Sequence, residues 1–91
     1  MKIVINKCFG GFSLSTKAML ELGWNESEEH SYSFSEKIER NDPRLVEIVE
    51  RYNASGGLAS LKVVEIPDDV KWEIQEYDGM EWVAEVHRRW G

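Results

Sequence analysis

The stretch NDPRLVEIVERYN (41–53) constrains the chain most, because it specifies one helix and the face that helix must bury. Asp42 stands where an N-cap is needed, and Pro43 takes the first helical position, where its missing N–H costs nothing. Leu45, Ile48, Val49 and Tyr52 recur at i, i+3, i+4 and i+7 and form one apolar stripe. Glu47 and Arg51 are placed for an i,i+4 ion pair in the favoured orientation. The stripe needs a core to cover it, and ASGG (54–57) ends the helix. The 91 residues are expected to form a single domain, 1–91. A chain of that length buries roughly 60–65% of its unfolded surface and can fold alone with little reserve. Apolar residues at 42%, with four Trp among them, place the chain in the globular class.

The remaining elements are shorter. KIVIN (2–6) is β-branched and nearly all apolar, which predicts a strand central in a sheet. Gly10 and Gly11 break it, and Ser15 is placed to cap a helix over about 16–22. Leu14 and Met19 have the spacing of a hydrophobic staple, and Gly23 suits the left-handed position after the last turn. In NESEEHSYSFSEK (25–37), Tyr32 and Phe34 alternate with serines, which predicts a loop to about 30 and an edge strand over 31–35. LKVVEI (61–66) reads as a strand stopped by PDD.

KWEIQEYDGMEWVAEVH (71–87) alternates on both sides of Asp78-Gly79. A three-residue loop, Tyr77-Asp78-Gly79 with Gly79 left-handed, would set Ile74 against Trp82, Trp72 against Ala84 and Val70 against Val86. That register would also set Lys71 against Glu85 and Asp69 against His87. A helix over 80–90 competes, since Trp82, Val86 and Trp90 also lie at i, i+4 and i+8. The hairpin is preferred. The resulting class is α+β: one mostly antiparallel sheet, two helices packed on one face, and a C-terminal β-hairpin.

The net charge is −6, and residues 26–50 hold eight acids against three bases. That balance disfavours direct nucleic-acid binding and favours a partner with a basic surface. One cysteine excludes an intramolecular disulfide and suits a reducing compartment. MKIVINKC has too short an apolar run for a signal peptide, and no stretch approaches a membrane span, so a cytoplasmic protein is expected.

MKIVINKCFGGFSLS, IERNDPRLVEIVE and LKVVEIPDDVKWEIQEYDGMEWVAEVHRRW resemble a family of small phage and prophage accessory proteins. The resemblance spans most of the chain apart from the acidic segment 24–37. It implies a product acting in the cytoplasm of an infected bacterium and carries no established activity for individual residues. By analogy with small accessory phage proteins, it points to a factor that binds and inhibits host machinery, anti-CRISPR-type factors included.

Two functional readings follow. In the first, the acidic, serine-rich segment docks on a basic host protein, with Glu26, Glu28 and Glu29 steering and Trp24, Tyr32 and Phe34 anchoring. In the second, a small ligand-binding or catalytic domain centres on the Gly10-Gly11 loop, with Lys7, Ser13 and Arg88 as anion contacts. The P-loop pattern is absent, since Thr16 stands where its second glycine belongs. Cys8 has no base placed beside it by sequence, Glu26, Glu29 and His30 read as solvated side chains, and Arg88 and Arg89 beside Trp90 read as a solvated tail. No catalytic residue is singled out and no metal or cofactor is expected; an enzyme is disfavoured, with the catalytic domain kept as the alternative.

Overall fold

The computed structural model describes residues 1–86. Its elements run β1 (Lys2–Asn6), α1 (Thr16–Glu21), α2 (Ser31–Lys37), α3 (Pro43–Tyr52), β2 (Leu61–Glu65), β3 (Trp72–Tyr77) and β4 (Met80–Glu85). The fold is α+β with antiparallel pairing throughout and a C-terminal hairpin, as the sequence implies. The strands form two separate two-stranded sheets, β1-β2 and β3-β4, where one sheet was expected. Among the described residues three helices stand in place of two.

The core forms between the first sheet and the helices. Register sets Val4 opposite Val63 and Asn6 opposite Leu61, so these residues share one face of the sheet. Val4, Leu61 and Val63 pack there against residues from all three helices, including Met19, Phe34, Leu45 and Ile48. Ile3 and Ile5, on the opposite face, are also buried. β1 is therefore buried on both faces, as its composition predicts, yet among the described residues it pairs with β2 alone.

Both sequence-predicted caps are present. The Ala18 N–H donates to Ser15 Oγ at 3.2 Å, and the Arg44 N–H donates to Asp42 Oδ1 at 2.8 Å. α1 closes with the Trp24 N–H on the Met19 carbonyl and the Gly23 N–H on the Leu20 carbonyl, a Schellman motif with Gly23 at φ 100°. Arg51 bonds Glu21 of α1 at 2.8 Å where a partner in Glu47 was expected, so it ties two helices together.

Residues 31–37 correct the edge-strand expectation. Tyr32 is 68% exposed and Phe34 only 5%, so the alternating aromatics do not share a face. The operative spacing is Phe34 to Ile38, i to i+4, and both pack on the core. Between them the Ser35 hydroxyl reaches the Met19 sulfur at 3.4 Å. Serine is neutral enough in a helix that an apolar pair of this kind decides the outcome.

The hairpin is present with a different register. Trp72 opposes Glu85, Ile74 opposes Val83 and Tyr77 opposes Met80, so the turn has two residues, Asp78 and Gly79. Both have positive φ, 52° and 91°, as an Asp-Gly turn of the primed type requires. The expected pairing of Lys71 with Glu85 is replaced by Trp72 with Glu85, and Lys71 now bonds Val86. The partner expected for Asp69, His87, lies outside the described residues. Odd and even positions now oppose each other. Trp72 and Ile74 therefore share a face with Glu81 and Val83, while Trp82 and Ala84 lie on the other face. This inversion turns Glu81, the one buried residue of 72–86, toward the body of the protein.

The turn seats on the glycine loop. The Gly10 N–H donates to the Asp78 carbonyl at 3.1 Å. A Cβ at Gly79 would collide with the Gly11 nitrogen and stand 2.7 Å from the Gly10 nitrogen. Because the obstacle is backbone, Gly79→Ala and Gly79→Asn are both expected to lose at least about 3 kcal/mol. Gly57, also left-handed but with nothing within 4 Å, is the control: Gly57→Ala is expected to lose only about 1–2 kcal/mol. Urea midpoints decide, and equal losses at the two sites would refute the seat.

A second measurement concerns the α3 cap. Hydrogen bonding to Arg44 holds the Asp42 carboxyl below its ordinary pKa. A depressed carboxyl stabilises the fold above its unfolded pKa of about 3.9 and ceases to do so as pH falls through the folded value. Asp42→Ala is accordingly expected to lose about 1 kcal/mol at neutral pH. The gap between the two proteins should close in acid titrations.

Candidate functional site

Arg40, in the connection between α2 and α3, closes the edge of β1 that faces away from β2. The Val4 N–H donates to the Arg40 carbonyl at 2.8 Å, and Arg40 Nη1 donates to the Val4 carbonyl at 3.3 Å. The guanidinium then meets Glu81 of β4 with two bonds, 2.6 and 2.9 Å. Glu81 Oε1 in turn accepts the Asn6 N–H at 2.8 Å. The Phe12 ring lies 3.6 Å from the Arg40 guanidinium carbon, which places the cation on an aromatic face. With side-chain exposures of 20% and 9%, this pair lies in a low-dielectric setting and each charge depends on the other.

Asn6 completes the junction. Its Nδ2 donates to the carbonyls of Cys8 and Gly79, both at 2.7 Å. Its Oδ1 accepts from the Cys8 N–H at 3.3 Å and the Ser60 N–H at 2.9 Å. All four hydrogen-bonding positions of a fully buried amide are thus filled.

The hairpin so fastened stands off from α2 and leaves a groove. Its wider part, about 700 Å³, lies among Gly10, Gly11, Tyr32, Glu36, Arg40 and Glu76. A narrower part of about 390 Å³ shares Glu36 and Arg40 and runs on past Ile38 to Ile74 and Trp72. Arg40 is committed to Glu81, so the carboxylates of Glu36 and Glu76 dominate the field in the wider part. Tyr32 reinforces this polarity: hydrogen bonding to Glu36, one turn on, pushes its phenol above the ordinary pKa.

The residues singled out from sequence are distributed unevenly around this groove. Tyr32 lines it. Glu26 and Glu28 are exposed on the loop before α2, and Glu29 bonds Lys37 at 2.7 Å. Trp24 packs on the core with its indole N–H on the Glu29 carbonyl at 2.9 Å, and Phe34 is buried, so neither is presented as an anchor. Gly10 and Gly11 line the groove, but the Gly10 N–H is already engaged by the turn. Lys7 is exposed, Ser13 lies beside Gly56, and Arg88 falls outside the described residues together with Arg89 and Trp90. Cys8 is half-buried and free, and His30 caps α2 through Nδ1. Among the described residues no cluster of His, Cys, Asp or Glu could hold a metal, and no helix is long and apolar enough to cross a membrane.

Sequence reasoning passed over Arg40, Glu81, Glu36 and Glu76. A lone Arg and a lone Glu that meet across the fold carry no local signature, whereas the Asn that ends KIVIN was a visible polar intrusion in an apolar strand. Compared with known proteins, the chain matches no family model, no curated protein and no solved structure.

Glu81→Gln keeps the shape of the side chain and leaves Arg40 uncompensated. It is expected to lose about 3 kcal/mol or more in urea unfolding. The double variant Arg40→Met/Glu81→Leu should lose less than the two single changes together. Additive losses would show that the pair does not act as a unit.

Proposed function

We propose that the protein is a binding module that docks a basic surface of another protein in the groove between α2 and the hairpin. One observation carries the reading: Glu36 and Glu76 stand on opposite walls of an open groove beside the exposed Tyr32, while the nearby Arg40 is neutralised by Glu81. Carboxylates in such a concavity attract Lys and Arg side chains and speed their encounter. Tyr32 supplies an aromatic face for a guanidinium or an apolar stem. Glu26 and Glu28 extend the same field along the loop that leads into α2. Taken with the resemblance to phage accessory proteins, the partner would be a bacterial host protein and docking would inhibit it. The alternative, an anion or small-ligand site on the glycine loop, is less favoured, because an anion there would face Glu36, Glu76 and Glu81.

The test begins with a pull-down from bacterial lysate, followed by surface plasmon resonance against the captured partner. Glu36→Lys/Glu76→Lys is expected to slow association by about tenfold at low salt, with a smaller effect at 1 M, where the Debye length is about 3 Å. Tyr32→Ala should act mainly on dissociation. Melting temperatures should stay within a few degrees of the parent for Tyr32→Ala and for Glu36→Lys alone, whereas Glu76→Lys also gives up the bond from the Gly79 N–H at 2.8 Å. Unchanged kinetics in both variants would refute docking in the groove.

A further inference from the structure

β3 is an open sheet edge. In a hairpin closed by a two-residue turn, Tyr77 and Met80 form a hydrogen-bonded pair and the pairs alternate along the ladder. The Val86 N–H on the Lys71 carbonyl, 2.9 Å, has the same phase. The backbone N–H and C=O groups of Trp72, Ile74 and Glu76 therefore point away from β4. Among the described residues no strand pairs with that side of β3. No proline, lysine or bulge falls within Trp72–Tyr77, and the charges the edge carries, Glu73 and Glu76, are both acidic. The side chains of Trp72, Ile74 and Glu76 are the ones that line the groove.

We infer that a basic, extended segment of another protein binds here by adding a strand to the free edge of β3. The inference rests on the docking reading above and specifies the conformation of the partner. Charge selects the occupant. Residues 72–86 carry five acids and no base, so the edges of two copies would bring like charges together, whereas Lys or Arg on a foreign strand would meet Glu73 and Glu76. The pleat selects the pattern. Alternate side chains of the added strand fall on the groove side, where apolar residues fit beside Trp72 and Ile74 and a basic one fits beside Glu76. The intervening ones pass Glu73 on the other face, where basic residues fit.

The probe is an eight-residue peptide alternating lysine and valine, capped at both ends. It is compared with the same peptide N-methylated at every second residue and with a glutamate–valine counterpart. Saturable binding of the plain peptide is expected in calorimetry, with slowed amide exchange at Trp72, Ile74 and Glu76. N-methylation should weaken binding at least about tenfold, because the methyl groups remove the edge hydrogen bonds while leaving the charge. The glutamate–valine peptide should bind only to Glu73→Lys/Glu76→Lys, with its fold confirmed by circular dichroism. Equal affinity of the plain and methylated peptides would overturn strand addition and leave the acidic docking reading standing. So would no peptide binding while the captured partner still responds to Glu36→Lys/Glu76→Lys. A peptide-free dimer with protected edge amides would overturn the inference in favour of a second copy. Binding of the plain peptide that proves insensitive to salt would count against the docking reading itself.

Discussion

The contact between Arg40 and Glu81 holds the two halves of this protein in one arrangement. β1 needs a second neighbour for the polar groups on its open edge, and among the described residues no strand supplies it. The carbonyl and guanidinium of Arg40 and the carboxylate of Glu81 supply it instead, and in doing so they bring the hairpin to the sheet. A buried ion pair is a weak source of net stability, because desolvation offsets most of the attraction. Its value here is positional. The pair forms only when Glu81 is on the inner face of β4, so it favours the observed register over one shifted by a residue.

Where local chemistry and burial agree, the sequence was a good guide. The caps at Ser15 and Asp42, the stripe of α3 and the strand at β1 each rest on interactions within one segment, and each is present. The hairpin divided the two influences. Alternation argued for placing Trp72, Ile74 and Trp82 on one face. The Asp-Gly turn and the distant Arg40 argued for the reverse, and they prevailed. Segment 31–37 failed for a related reason. A period of two, read over three or four residues, is not distinguishable from part of a helical period until the next apolar residue, Ile38, is included. The groove was illegible because its walls come from segments far apart in sequence, and acids scattered among seventeen carry no mark of which will face one another.

Among the described residues the hydrophobic core is drawn from the chain up to β2, with none from β3 or β4. Within 72–86 the single buried residue is a glutamate. The hairpin is thus supported by polar contacts at its turn and at Glu81 and has limited burial elsewhere. Acidic walls, an exposed tyrosine and an unpaired strand edge suit a surface that waits for a partner: the carboxylates keep their charge, the Tyr32 ring is open to solvent, and the edge of β3 has no neighbour among the described residues.

The seat of Gly79 on Gly10 and Gly11 is a close approach of backbones, which Asn6 Nδ2 fastens through the Gly79 carbonyl and Glu76 through the Gly79 N–H. That distinguishes it from the contact between Arg40 and Glu81. A charge pair such as Arg40 and Glu81 can in principle be exchanged for another complementary pair, so loss on one side can be rescued by a change on the other. No such rescue exists at the seat, because nothing smaller than hydrogen can be placed opposite an added methyl. In an evolving population Gly79 would be held by this contact, and Gly10 and Gly11 by their left-handed backbone, φ 109° and 95°. The loop that resembles a phosphate cradle would then be kept for a mechanical reason, with no ligand needed to account for it.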